Sequence, residues 1–275
     1  MSEHEAMSDH ALILLRFAYY AGALGTFAFL VTWEAGAPRI APQTSRLRHI
    51  LRNVAVLGLV VVIADVLVLE WLLGARERMT ASDGLFTALA LPALAQFAIG
   101  FVLVDLFDYG FHRLMHRWRW LWLFHCVHHS EAELDVSTAL RFHPVEVTIG
   151  VLLKTFLFLG LGIPLWVEGA RAIVLNPINL LQHGNVEYPA WIERRLGWLV
   201  VTAEMHRIHH SPDAHETNSN YGVVFSFWDR WFGTYTPPSS SRGRAFGLRA
   251  LAADSWQTVV GMMLTPIRAR RLGTL

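Results

Sequence analysis

H-R-L-M-H-R-W-R-W-L-W-L-F-H-C-V-H-H, from His112 to His129, holds five of the fourteen histidines of this chain in 18 residues. Helical residues three and four apart share a face, so His112 projects with His116, and His125 with His128 and His129. Both sets face a common volume. A third set, His206, His209 and His210 in H-R-I-H-H, repeats the H-x-x-H-H spacing further along the chain. Neutral imidazole nitrogen is a common ligand for iron, zinc, copper and nickel. Eight imidazoles buried without a metal would strand a crowd of donors and acceptors at roughly 1–3 kcal/mol each. The three sets therefore read as a polynuclear metal site. The isolated His4, His10, His49 and His215 read as ordinary hydrogen-bonded side chains.

The composition around this stretch is that of a membrane protein: 53% hydrophobic and 16% charged over 275 residues, with a mean hydropathy of +0.35. A net charge of +1 supplies no field for phosphates and excludes a nucleic-acid partner. Arg113, Arg117 and Arg119 interleaved with Trp118, Trp120 and Trp122 mark a membrane interface instead. One cysteine, Cys126, excludes an internal disulfide framework and any cysteine-based zinc or iron–sulfur site. No basic residue precedes Arg16, so the first apolar run is expected to stay as an anchor and not to be a cleaved signal.

Three apolar runs are predicted to span a bilayer: 11–33, 53–73 and one that begins near Leu85 and continues without a stop into Asp105, Asp108 and His112. Asp65, inside the second, is expected to face protein and not lipid. Residues 34–52 form a loop carrying Arg39, Arg46, Arg48 and Arg52, which the positive-inside rule places in the cytoplasm. Two further crossings return His112 to that side, where Arg113, Arg117 and Arg119 obey the same rule. Residues 74–84 read as a short turn. The apolar region 145–182, interrupted by Lys154, Pro164, Glu168, Arg171 and Pro177, reads as a helical hairpin or re-entrant pair. From His183 to Tyr235 a mixed aromatic and polar stretch forms a cytoplasmic cap. The expected fold is an all-α integral membrane bundle of about four transmembrane helices, or three plus a re-entrant hairpin, beneath that histidine-rich cap. Its divisions are 1–84, an N-terminal membrane region; 85–236, the metal-bearing domain; and 237–275, a linker followed by a basic amphipathic tail, surface-bound or solvated.

Eight histidines exceed the needs of one zinc, and two metals fit better. Open positions for O2 and a scarcity of carboxylates favour non-haem iron. A haem takes one or two axial histidines and leaves the repeated H-x-x-H-H unexplained.

H-R-L-M-H, H-C-V-H-H and H-R-I-H-H, in this order and around hydrophobic spans, resemble the fatty acid hydroxylase/sterol desaturase family of integral membrane di-iron enzymes. The resemblance covers roughly residues 95–236. Asp105, seven residues before His112, matches that family's acidic position, and S-T-A-L-R-F-H-P-V-E its next block. N-Y-G-V-V-F-S-F-W-D-R-W-F-G-T-Y, from Asn220 to Tyr235, resembles its closing motif. Asp135 departs from the Asn often found there. The resemblance adds His143 and His183, so that ten histidines would hold two iron ions with O2 as co-substrate. Metal-bound imidazoles usually donate their other N–H to a carboxylate or carbonyl. Asp105 is the leading candidate for that role, followed by Asp108, Glu146, Glu204 and Asp229.

The resemblance implies hydroxylation of an unactivated C–H in a membrane lipid, fatty acyl, sterol or related. The same site in a desaturase, or a non-catalytic membrane metal- or haem-binding protein, are the alternatives. No Rossmann fingerprint is present, and H-P-V-E lacks the glycines of a cytochrome b5 haem motif. Electrons would come from an external ferredoxin- or cytochrome b5-like protein with its reductase.

Overall fold

A computed structural model describes residues 9–80, 84–237 and 245–272. Two long helices, α1 (Asp9–Gly36) and α2 (Arg46–Thr80), cover the first two apolar runs with 28 and 35 residues, beyond the ~20 that a bilayer core requires. α2 extends past both predicted bounds, taking in residues read as loop and as turn. The side chain of Asp65 lies outside the described residues.

The third run is not continuous. A single turn, α3 (Leu85–Ala88), is followed by Ala90 in a left-handed conformation (φ 45°) and Pro92 with extended backbone before α4 (Ala93–Arg117) begins. Proline removes a backbone donor and disfavours helix in the residue before it, so the helix restarts there. α4 ends at Trp118, and α5 (Arg119–His129) turns back beside it. A 3-10 turn at Val136–Leu140 precedes α6 (Pro144–Leu161).

α6 and α7 (Leu165–His183) are the two helices of the hairpin or re-entrant pair expected between 145 and 182, joined by a short turn. Gly162 (φ 66°) makes the turn and presses on Gly84, where a Cβ would lie 2.4 Å from the Gly162 Cα. Only glycine meets both requirements, the left-handed backbone and the close approach. α7 packs on α1, and α6 on α2. Phe86, Val104, Phe158, Ile163 and Val167 close the far end of the bundle. α4 and α6 are each long and apolar enough to cross a membrane.

The remainder of the chain lies against α4, α5 and α7. α8 (Ala190–Leu196), α9 (Ala203–His209), α10 (Ala214–Thr217) and α11 (Phe227–Trp231) are short, and one isolated bridge joins Val200 to Phe225. The described residues contain no β-strand. Residues 238–244 of the expected linker lie outside the described residues. The tail is not free-standing. After a 3-10 turn at Arg249–Leu251 come α12 (Asp254–Gln257) and α13 (Val259–Ala269). Leu251 and Ala269 pack against Leu123 and Cys126, and Met262 against Val56, Val60 and Val127. Burying these apolar groups outweighs leaving an amphipathic helix in solvent, since each large side chain removed from water contributes ~1.5–3 kcal/mol. Val260, Leu264 and Ile267 remain exposed on α13.

Candidate metal centre

The helices that carry the three histidine motifs and His183 converge at one end of the bundle: the C-termini of α4, α5, α7 and α9. Nine of the ten predicted histidines meet there in two groups. His112, His116, His125, His129 and His209 form one, and His128, His183, His206 and His210 the other. Within each group one ring nitrogen from every histidine lies within 4.8 Å of those of the others. His209 is fully buried, and His125, His128, His129, His183 and His210 are nearly so.

The grouping does not follow the sequence motifs. In α5, His125 and His129, four apart, join the first group, while His128 crosses to the second. In α9 and its C-cap, His206 and His210 join the second group and His209 crosses to the first. Residues four apart superpose most closely on a helix face, and the residue between them is rotated away by about one hundred degrees from its neighbour. Each H-x-x-H-H segment thus supplies a pair to one group and a single ligand to the other.

The second nitrogens define the protonation. Nδ1 of His112 lies 2.9 Å from the Tyr221 carbonyl, that of His128 3.2 Å from Arg141 O, that of His183 2.8 Å from Asn179 O and that of His209 2.7 Å from Ser219 O. A carbonyl only accepts, so each of these Nδ1 atoms carries the proton and each Nε2 presents a bare lone pair. Yet Nε2 of His112 and His209 stand 3.0 Å apart, and those of His128 and His183 3.3 Å. These contacts are not hydrogen bonds, because neither partner has a hydrogen to give. Lone pairs converging at such spacing fit donors around one cation: ligands about 2.1 Å from an ion and at right angles lie about 3 Å from each other. Nδ1 of His206 and His210, and both nitrogens of His116, have no hydrogen-bond partner among the described residues.

Protonation does not relieve the crowding. Burial, reinforced by the neighbouring imidazoles, holds His128, His129, His206 and His210 well below the usual histidine range, and burial lowers His209 to about 3. A buried, neutral, all-nitrogen set suits a borderline divalent metal, and the residues present fit the two-metal centre that the motifs imply.

His143 stands apart. It precedes Pro144, the first residue of α6, and its Nδ1 accepts from the Val145 N–H (3.2 Å), while Nε2 lies 3.3 Å from Met263 O and the ring packs on Phe124. The structure makes it a helix cap and not a member of either group, because a proline at the first helical position commits the preceding residue to the capping geometry.

The carboxylates are also redistributed. Of the five candidates, Glu146 is the one that reaches an imidazole of either group: its Oε1 accepts from His125 Nδ1 at 2.8 Å. Asp105 instead accepts from the Val224 and Phe225 N–H groups (3.0 Å each) and from Trp228 Nε1 (2.9 Å). It ties the closing motif to α4. Asp108 pairs with Lys154 (3.1 Å) and Arg171 (3.0 Å), as a charge surrounded by apolar helices must. Glu204 pairs with Arg207 (2.7 Å) and Arg39. Asp229 accepts from the Tyr221 and Gly222 N–H groups at 2.7 and 2.8 Å. The backbone carbonyls at Arg141, Asn179, Ser219 and Tyr221 carry no signature in side-chain identity. Trp122 and Tyr221 border the first group, with ring centroids 4.8 and 5.1 Å from His116.

The family model for fatty acid hydroxylases matches residues 97–234, from α4 through the closing motif. The chain belongs to this family. Among its fatty acid hydroxylase relatives is the ornithine lipid hydroxylase OlsE of Rhizobium tropici, 32% identical over 169 residues that cover 60% of this chain and 49% of that protein. The alkylglycerol monooxygenase of Danio rerio is 31% identical over 51% of this chain and 30% of its own length. The sphingolipid C4-hydroxylase sur2 of Schizosaccharomyces pombe is 28% identical over 54% of this chain and 50% of its own. The chain spans half or less of the length of these curated relatives. No solved structure matches it.

Proposed function

We propose that this member of the fatty acid hydroxylase family is an integral membrane, O2-dependent non-haem di-iron enzyme that hydroxylates an unactivated C–H of a lipid. The convergence of bare Nε2 atoms in two buried groups is the observation that carries this reading. His112, His116, His125, His129 and His209 would hold one iron, and His128, His183, His206 and His210 the other. A di-iron centre supplies the O2 activation needed to break such a C–H. The protein's own part is to hold the imidazoles in one tautomer through Glu146 and the four carbonyls, and to keep water out by burial. Because the site lies at the ends of the membrane-capable helices α4 and α6, an acyl chain in the bilayer reaches it along their length.

The net reaction is R–H + O2 + 2 electrons + 2 protons giving R–OH + H2O, with the electrons from an external ferredoxin- or cytochrome b5-like protein and its reductase. The names of the relatives support a lipid substrate. The metal site faces the cytoplasm in this reading, and the metal-bearing domain of residues 85–236 follows an N-terminal membrane region and precedes a docked C-terminal segment.

Incubation with 18O2, an electron donor and extracted lipids tests the reaction. One 18O atom in the lipid product is expected. An unlabelled product two hydrogens lighter would make the enzyme a desaturase, and no O2-dependent product would favour a metal carrier. Sidedness is tested by cysteine labelling at the exposed Ala132 and Asp213, since Cys126 is buried. Both should react from the cytoplasmic side.

A further inference from the structure

We propose that the segment Ser219–Gly222 is a positioning clamp for the five-histidine group, set by Asn220 and Asp229. The inference rests on the metal-centre reading above and extends it to residues that touch no metal. Two carbonyls of this segment, those of Ser219 and Tyr221, accept from Nδ1 of His209 and His112 at 2.7 and 2.9 Å. These two imidazoles come from α9 and α4, and their Nε2 atoms lie 3.0 Å apart. One short run of backbone therefore orients ligands from two separate helices into the same group.

Three features hold the run in shape. Asn220, between the two carbonyls, is left-handed (φ 53°), a conformation that asparagine adopts at lower cost than alanine. Its buried amide donates to Met205 O (3.2 Å) and Thr236 O (2.9 Å) and accepts from the Thr236 N–H (2.9 Å). Asp229, also buried, receives the Tyr221 and Gly222 N–H groups on its two oxygens, and the Thr234 hydroxyl at 2.7 Å. Gly222 allows that carboxylate to approach, for a Cβ there would lie 2.9 Å from Asp229 Oδ2 and 2.7 Å from Phe225 O. The four-histidine group has no ligand held by this segment. Its orienting carbonyls are those of Arg141 and Asn179. The clamp's carbonyls therefore orient ligands of the five-histidine group only.

The test uses the full chain in detergent, stripped of metal and titrated with 57Fe(II), with the two irons distinguished by Mössbauer spectroscopy. Asp229→Asn and Asn220→Ala should each weaken iron at the five-histidine group by about 10- to 100-fold, the usual cost of losing an outer-shell contact. The other iron keeps its wild-type affinity and spectrum. Asn220→Gly, which keeps access to the left-handed backbone, should recover part of the affinity lost in Asn220→Ala even where the alanine variant folds poorly. Equal weakening of both irons, or no weakening in Asp229→Asn, overturns the clamp while leaving the metal centre intact. A wild-type chain that binds no iron overturns the metal reading and the clamp with it.

Discussion

α5 and α9 carry the same H-x-x-H-H pattern, and the fold uses them in opposite ways. α5 gives its pair to the five-histidine group and its single ligand to the four-histidine group, whereas α9 does the reverse. Each helix thus belongs to both groups, and neither group can be assembled without both α5 and α9. A repeated motif therefore marks two helices that interlock and not one site per motif.

The largest expected effect comes from removing the crossing ligands. His128→Ala and His209→Ala should each lower product formation to below about 1% of wild type, more than the 10- to 100-fold loss typical of an outer-shell contact. Bound metal should fall from a different group in each case. Product assays with metal analysis check this, and two variants that lose the same metal would break the interlocked assignment.

A smaller and one-sided effect is expected at Glu146. Glu146→Gln weakens the acceptor for His125 Nδ1 and should reduce metal affinity at the five-histidine group about tenfold or more, with the four-histidine group unchanged. Competition with a chelator of known affinity measures the difference.

Acidification should not discriminate between the groups. His209 is lowered to about 3 by burial, and His206 and His210 also lie well below the histidine value of 6.5. Between about 3 and 6.5 these histidines bind more protons in the unfolded chain than in the folded one, so their contribution to stability rises with pH across that window. The metal-free protein should keep its full melting temperature above pH 6.5 and lose it progressively as the pH falls below. A melting temperature flat from pH 7 to 4.5 would contradict the buried neutral state of both groups.

The smallest effect is expected at His143, outside both groups. His143→Ala removes a cap from α6 and should cost about 1 kcal/mol of stability without loss of metal. Chemical denaturation and metal analysis measure the two separately, and depletion of metal would return His143 to the ligand set.

Much of this was legible along the chain. The helical periodicity, the two helices between 145 and 182 and the facing of His112 with His116, of His125 with His129 and of His206 with His210 follow from local rules: residues four apart share a face, and apolar runs of bilayer length form helices. What local rules do not reach is pairing between distant segments. Which histidine joins which group depends on how α4, α5, α7 and α9 cross. The five predicted carboxylates look alike in sequence, yet Glu146 meets an imidazole while Asp105, 119 residues before Val224, pins the closing motif. Side-chain type and spacing determine which atoms can ligate a metal. Only the tertiary structure brings carbonyls such as Ser219 O and Tyr221 O to the imidazoles, because every residue carries a carbonyl and its direction is set by the folded backbone alone.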